Sequence, residues 1–168
     1  SDVYKRQPLS RYLGRHAFKD VDHHWQDHLF ATAGAGLALW DSSRSEPLQT
    51  FAWGADGLTH VRFNPSEHSV LGCLSSDRSL TLYDVNTGSA LQKMTMQTRQ
   101  NALCWNPMEP FHFTTASEDH DLYTFDMRKL DHALCVHKGH VSAVLDVDYS
   151  PTGRQFVSGS YDKTLRIW

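Results

Sequence analysis

The sequence has few cysteines, no long apolar run and no marked excess of one charge. Its 168 residues include three cysteines, Cys73, Cys104 and Cys135, and no C-x-x-C pair. This odd number of dispersed cysteines excludes a disulfide framework and a zinc ribbon, and fits a reducing compartment. No apolar stretch approaches the roughly 20 residues that a membrane-spanning helix needs, and no secretory signal is visible, so no membrane partner is predicted.

Glutamate is also scarce. Fifteen of the 19 acidic residues are aspartate and four are glutamate. Because aspartate favours turns and glutamate favours helix surfaces, this imbalance predicts short strands joined by many turns. The net charge of −3 gives no strong electrostatic case for a nucleic-acid or membrane partner. The hydrophobic content of 40% is that of a globular protein.

Three sequence marks recur together with a period of about 42 residues. The first is an aromatic residue, and its copies lie 43, 42 and 43 residues apart: Trp40, Tyr83, Phe125 and Trp168. The second is an aromatic residue followed by Asn-Pro or Ser-Pro, with its aromatic at Phe63, Trp105 and Tyr149. The third is an aspartate six residues before the periodic aromatic: Asp77, Asp119 and Asp162. Marks that stay in phase predict a structural repeat.

Each repeat is typical of four antiparallel strands. Apolar and polar residues alternate before the Pro mark, as at Val61 and Phe63, and proline ends that strand because it has no amide hydrogen to donate. The prediction is an all-β propeller of about four blades. We predict an outer strand of a preceding blade at 8–14. Three blades follow at 18–56, 57–98 and 99–138, and an incomplete blade at 139–168.

One repeat carries the complete signature of a known architecture. Gly139-His140, followed by Asp162 and Trp168, matches the glycine-histidine to tryptophan pattern of WD40 repeats. We predict that a structural tetrad of His140, Ser158, Asp162 and Trp168 forms a buried chain of hydrogen bonds. Tyr83 and Phe125 replace tryptophan in other repeats, which are therefore predicted to depend on apolar packing.

Four longer stretches resemble the Sof family of eukaryotic WD40 proteins over about Pro8 to Trp168. They are Asp22-His23-His24-Trp25, 104–111, Tyr123-Thr124-Phe125-Asp126-Met127-Arg128 and 140–151. The resemblance implies that the whole protein is a seven-bladed propeller. It also implies a location in the nucleus, in the nucleolus, with proteins of the small-subunit processome as partners. It implies a part in 18S rRNA maturation, beside pre-rRNA or small nucleolar RNA. For animal members of the family, it also implies a second role as a substrate receptor of a cullin-type ubiquitin ligase.

The resemblance also implies blades and a basic C-terminal extension that this sequence lacks. The chain is accordingly predicted to be a fragment, and direct RNA contact stays open. Residues 1–7 match nothing in the family and are predicted to be a non-native or disordered segment. Two geometries are possible: an open arc, or a four-bladed ring in which 8–14 pairs with the last blade.

Two sets of residues are candidates for partner binding. Phe125, Asp126 and Arg128 resemble the box by which WD40 receptors dock onto a cullin ligase adaptor, with Arg128 projecting its planar donors towards the partner. The alternative is that Asp126 shapes the turn and Arg128 is solvated. The second set flanks the tight-turn aspartates and is predicted to share one face, either as a protein-binding surface or as plain exposed surface: Ser76, Arg78, Glu118, His120, Tyr161 and Lys163.

Catalysis and metal binding are the remaining hypotheses. Paired aspartates could serve a propeller hydrolase as acid and base. However, Asp77, Asp119 and Asp162 follow the repeat, as structural turn residues do, so no catalytic residue and no small-molecule substrate are predicted. The histidines around His23, His24 and His28 are interpreted as scattered surface residues, with no metal and no cofactor. Cys73 and Cys104 are predicted to be small apolar fillers.

Overall fold

A computed structural model describes residues 7–51 and 57–168. All regular elements in these ranges are β-strands. No helix in the described part of the chain is long and apolar enough to cross a membrane. The predicted non-native or disordered segment lies outside the described residues apart from Gln7, and the end of the predicted first blade, at 52–56, also lies outside them.

The strands form four separate sheets in chain order. The first sheet consists of β1 (Asp20–His23), β2 (Leu29–Ala33), β3 (Leu37–Asp41) and β4 (Gln49–Phe51). The second consists of β5 (Leu58–Phe63), β6 (Val70–Ser75), β7 (Ser79–Asp84) and β8 (Ser89–Thr95). The third consists of β9 (Gln100–Trp105), β10 (His112–Ser117), β11 (Leu122–Asp126) and β12 (Cys135–His137). The fourth has three strands, β13 (Val144–Tyr149), β14 (Phe156–Ser160) and β15 (Leu165–Ile167).

Every sheet is a meander, in which each strand pairs antiparallel with the next one along the chain. The first strands of successive sheets lie next to each other, β1 beside β5, β5 beside β9, and β9 beside β13. Three apolar clusters fill the spaces between successive sheets. Sheets repeated radially in this way are propeller blades, so the predicted all-β propeller fold is confirmed.

Position within a blade explains the burial of each strand. Along β5, the apolar residues Val61 and Phe63 are buried and Arg62 between them is partly exposed. All of β6 is buried, because it has a strand on each side and a neighbouring blade against its faces. On β8, which is an outer strand with a partner on one side only, no residue is buried.

No strand is formed at 8–14 in this structure. Among the described residues the segment has no neighbouring strand to satisfy its backbone groups, and a lone strand is not stable. Its place in a preceding blade stays a prediction. Tyr12 instead packs edge-on against Phe30 and Trp40 of the first blade, at ring distances of 5.0 and 5.6 Å. On the last blade, Leu165 and Ile167 are 79% and 73% exposed. The four blades therefore form the open arc.

The turns lie along two opposite edges of this arc. One, which we call the tight-turn edge, carries the β2–β3, β6–β7, β10–β11 and β14–β15 turns and the connections between blades. The other, the joint edge, carries the β1–β2, β5–β6, β9–β10 and β13–β14 turns and the turns leading to the outer strands. This assignment follows from the antiparallel registers, which pair Phe63 with Leu71 and Leu71 with Tyr83 at the joint edge.

Candidate functional site

The four predicted tetrad residues are brought together in one hydrogen-bonded chain in the fourth blade. The Trp168 indole N–H donates to Ser158 Oγ at 2.8 Å. Ser158 Oγ lies 2.8 Å from His140 Nε2, and His140 Nδ1 lies 2.8 Å from Asp162 Oδ2. With the Nδ1 proton facing the carboxylate, Nε2 accepts from the serine hydroxyl, and every group in the chain has a partner.

The carboxylate end of the tetrad also fixes its own turn. Asp162 Oδ1 accepts from the Thr164 amide at 2.9 Å and the Thr164 hydroxyl at 2.6 Å, and Oδ2 accepts from the Val141 amide at 3.2 Å. Hydrogen bonding holds the pKa of Asp162 well below its usual range, through the Thr164 hydroxyl first and then through His140 and the two amides. The tetrad therefore joins the segment that enters the blade to the tight turn.

The other tight turns share this chemistry. Asp77 accepts from the Ser79 hydroxyl at 2.5 Å and from the Ser79 amide at 3.0 Å, which lowers its pKa. Asp119 accepts from the Asp121 amide at 3.1 Å and from the Tyr123 hydroxyl. Each carboxylate serves its own turn, and the three belong to different blades. This arrangement is that of structural turn residues and not that of an acid and base held across one substrate.

The residue after each of these aspartates has left-handed backbone geometry. Arg78, His120 and Lys163 have φ values of 70°, 70° and 66°. They lie exposed on the tight-turn edge. The other three candidate partner-face residues, Ser76, Glu118 and Tyr161, are exposed on the same edge. The structure therefore places all six on one edge; a role in binding stays a prediction.

The third blade has no tetrad. Phe125 occupies the tryptophan position, and Thr115 occupies the position of Ser158, because Phe113 pairs with Phe125 as Phe156 pairs with Trp168. The Thr115 hydroxyl is fully buried and has no hydrogen-bond partner among the described residues. The blade is packed instead by rings: Phe113 lies 5.5 Å from Phe125 and 5.0 Å from Trp105.

The docking candidate forms a closed ion pair at the joint edge. Arg128 Nε lies 3.0 Å from Asp126 Oδ1, and Nη2 lies 2.7 Å from Oδ2. The guanidinium also lies over the Phe111 ring, 4.3 Å from its centroid. Hydrogen bonding to Arg128 lowers the pKa of Asp126 to about 2. The Arg128 side chain is 60% exposed, so this pair fixes its direction and leaves much of its surface open to solvent.

Sequence reasoning missed a set of residues that join successive blades at the joint edge. Asn64 Oδ1 accepts from the Ser66 and Glu67 amides at 2.9 Å, and its Nδ2 donates to the Pro110 carbonyl of the next blade at 2.7 Å. Asn106 repeats the pattern, and its Nδ2 donates to the Gly153 carbonyl at 3.1 Å. One side chain thus shapes its own turn and holds the neighbouring one.

His24 is the member of this set in the first blade. Its Nδ1 accepts from the Gln26 and Asp27 amides at 3.2 and 2.9 Å, so Nε2 carries the proton and donates to the His68 carbonyl of the second blade at 3.2 Å. The sequence interpretation of His24 as a surface residue is wrong: it is 2% exposed. The signal was available, since His24, Asn64 and Asn106 each directly follow the first strand of a blade.

His24 also belongs to a group with the spacing of a metal site. Ligand atoms of His24, Asp27 and His68 lie within 4.8 Å of one another. Both His24 nitrogens, however, already make the hydrogen bonds of the joint, so this ring has no lone pair left to coordinate an ion. The arrangement is that of a joint between blades.

The two strand cysteines are unreactive in this setting. Cys73 is 1% exposed, and burial raises the pKa of its thiol far above the usual range. Burial raises the pKa of Cys104 to about 12. Neither thiol is activated as a nucleophile, since a reactive cysteine needs a lowered pKa.

Comparison with known proteins agrees with the repeat geometry. Residues 133–168 match the family described as "WD domain, G-beta repeat". The chain is 51% identical over 164 residues to "DDB1- and CUL4-associated factor 13" of Danio rerio, covering 98% of this chain and 37% of that protein. It is 50% identical over 160 residues to "Protein SOF1" of Saccharomyces cerevisiae, covering 95% of this chain and 33% of that protein.

The radial blades, the tetrad and the matched repeat define a WD40-repeat protein of the β-propeller class. Within that class, the chain belongs to the Sof family, because its similarity to the yeast and vertebrate members extends over nearly its whole length. The chain spans about a third of the length of these relatives.

Proposed function

We propose that this chain is part of a non-catalytic scaffold that takes part in small-subunit processome assembly and 18S rRNA maturation in the nucleolus. Its partners would be proteins of that particle, with pre-rRNA or small nucleolar RNA close by. The observation that supports this most is the identity of 50% with Protein SOF1 over 95% of the chain.

The geometry favours a scaffold over an enzyme. The carboxylates of Asp77 and Asp162 are held by groups of their own turns, and they lie in different blades. Rigid blades instead present several exposed turns at fixed positions, so that many weak contacts add up to one specific surface. This is the property that assembly of a large particle needs.

Affinity purification of the tagged full-length protein from nuclear extract tests the proposal. We expect pre-ribosomal proteins and precursor rRNA to be recovered in stoichiometric amounts. Depletion of the protein should also lower the yield of mature 18S rRNA relative to the large-subunit rRNAs. Recovery of neither pre-ribosomal proteins nor precursor RNA would contradict it.

A second function, docking onto a cullin ligase adaptor, is favoured by the Asp126–Arg128 turn. Relatives are named DDB1- and CUL4-associated factor 13, and Arg128 is held in one direction at an exposed edge by Asp126 and Phe111. A guanidinium fixed before binding loses less entropy when it meets a carboxylate or carbonyl on a partner.

The second blade offers a matched control for this docking. Asp84 Oδ1 accepts from the Asn86 amide at 2.8 Å, just as Asp126 Oδ1 accepts from the Arg128 amide at 2.9 Å. We expect Arg128→Glu in the full-length protein to reduce co-purified DDB1 at least tenfold, and Asn86→Glu to leave it unchanged. Equal recovery with both variants would reject the docking role.

A further inference from the structure

An exposed tryptophan is fixed in place at the joint edge. The Trp25 side chain is 51% exposed, yet its indole N–H donates to the Asn64 carbonyl of the second blade at 2.9 Å. Its ring stacks on His24, at 5.4 Å and 22°. The ring of His68 lies 4.7 Å from it on the neighbouring turn. An aromatic ring that is both exposed and pre-ordered is the usual anchor of a protein interface.

Two of these contacts, to His24 and to Asn64, account for this order. His24 is buried and fixed by the joint described above, so it gives Trp25 a rigid base. The indole hydrogen bond to the Asn64 carbonyl fixes the ring to a second residue, whose side chain links the second blade to the third. Trp25 therefore pays little conformational entropy on binding, and about half of its surface remains open for a partner.

The charge around Trp25 indicates what that partner carries. The joint-edge turns of the first two blades, at 24–28, 41–48, 64–69 and 84–88, hold one arginine, Arg44, and five carboxylates: Asp27, Asp41, Glu46, Glu67 and Asp84. A second arginine, Arg11, adjoins Tyr12, whose hydroxyl donates to the Ser42 carbonyl of this edge. Asp27 belongs to the same turn as Trp25, and Glu67 directly precedes His68. Both are exposed.

An acidic surface around an exposed indole selects for cations. An arginine or lysine over an indole face gains a cation–π interaction, and nearby carboxylates add to the attraction. The same carboxylates repel a phosphate backbone, which argues against stacking of an RNA base on Trp25.

We propose that Trp25, with Asp27 and Glu67 beside it, binds a basic segment of a partner protein, and that an arginine or lysine side chain packs on the indole. This surface is distinct from the Asp126–Arg128 turn. It does not depend on whether the scaffold acts in ribosome assembly or in a ligase.

The test uses the purified full-length protein and a fluorescently labelled peptide of alternating arginine and glycine, with binding followed by anisotropy. We expect Trp25→Ala to weaken binding about tenfold, and Trp25→Phe to weaken it less, because phenylalanine retains an aromatic face of smaller electrostatic attraction. Asp27→Asn combined with Glu67→Gln should weaken binding severalfold and reduce its salt dependence. Val141→Ala shortens a side chain that is 82% exposed on the opposite edge, and it should have no effect.

A single-stranded RNA oligonucleotide is titrated in parallel with each variant. The proposal is overturned if the wild-type protein does not bind the peptide, or if Val141→Ala weakens peptide binding as much as Trp25→Ala does. It is also overturned if Trp25→Ala weakens RNA binding and leaves peptide binding unchanged. The Trp25→Phe variant retains an aromatic ring that can pack on His24. Thermal unfolding of Trp25→Phe and Trp25→Ala then shows whether a loss of peptide binding seen only with Trp25→Ala comes from a loss of stability.

Discussion

The third and fourth blades have the same strand order and the same tight-turn chemistry, but they fill equivalent interior positions differently. In the fourth blade, Ser158 lies between Trp168 and His140 and bonds to both. In the third blade, the Thr115 hydroxyl at the equivalent position has no hydrogen-bond partner among the described residues, and Phe125 replaces the tryptophan. One interior is held by a polar chain and the other by stacked rings.

The third blade places its polar chain on its other side. Thr114 Oγ1 lies 2.8 Å from Thr124 Oγ1 and 2.6 Å from the Tyr149 hydroxyl of the fourth blade. Thr124 is in turn 2.9 Å from His137 Nε2 on the outer strand. The comparison shows that a blade can form without the tetrad, since packed rings and a hydrogen-bond network elsewhere can join neighbouring strands and blades.

The largest expected effect is loss of the ring stack in the third blade. Phe113 is fully buried, so Phe113→Ala should lower the free energy of unfolding by about 3–5 kcal/mol, through lost burial and the cavity that remains. Urea unfolding followed by fluorescence measures this change. Val141→Ala, at a residue that is 82% exposed, is the control, and we expect it to have almost no effect. A loss below about 1 kcal/mol for Phe113→Ala would contradict the role given to the rings.

Removal of the histidine should break the fourth blade nearly as strongly. His140→Ala leaves the buried Ser158 hydroxyl without its acceptor and removes a ring that packs near Trp168. We expect a loss of about 2–3 kcal/mol in the same unfolding measurement. His132→Ala, at an exposed side chain, should change stability very little. Equal losses for the two histidines would show that the tetrad is not a structural unit.

A pair of conservative substitutions sharpens the comparison. Thr115→Val removes a hydroxyl that has no partner, so stability should stay the same or rise by up to about 1 kcal/mol. Ser158→Ala removes a hydroxyl with two partners and should cost about 1–2 kcal/mol. Opposite signs in calorimetry are the expected result. A clear loss for Thr115→Val would mean that its hydroxyl bonds to a buried water.

The smallest effect concerns the pH dependence of the Asp126–Arg128 turn. Because the pKa of Asp126 is lowered to about 2 in the folded protein, its carboxylate stabilises the fold above the ordinary pKa, about 3.9, and this contribution is lost as the pH falls towards 2. Arg128→Ala should return the pKa of Asp126 towards the ordinary value. A carboxyl carbon NMR titration measures it. An unchanged pKa would show that Arg128 does not engage Asp126 in solution.

Much of the fold could be predicted because its marks are local. Each mark acts within one repeat: the strand-ending proline, the tight-turn aspartate and the periodic aromatic. For example, the Ser79 amide donates to Asp77 and the Thr164 amide donates to Asp162. Even the tetrad, whose first and last residues, His140 and Trp168, are 28 positions apart, lies within one blade. Residues that make such contacts recur at the same position of each repeat, so they can be recognised from the period of the sequence.

The residues that sequence reasoning missed or assigned to the surface have partners outside their own repeat. His24 bonds to His68, 44 residues away, and Asn64 bonds to Pro110, 46 residues away. The shared position of His24, Asn64 and Asn106 directly after a first strand was a signal in the sequence, but it did not identify their partners in the next blade. The segment at 8–14 depends on tertiary context in the same way, because a strand needs a neighbouring strand to satisfy its backbone groups.

The sequence by itself determined the repeat, the strand ends and the turn chemistry, because these depend on backbone preferences and side chains a few residues apart. Only the tertiary structure decided which side chains join successive blades, that the Phe111 ring lies against the Arg128 guanidinium, and that Trp25 is fixed yet exposed. Those features depend on how neighbouring turns and blades approach each other. Such distances come from packing and not from the spacing of residues along the chain.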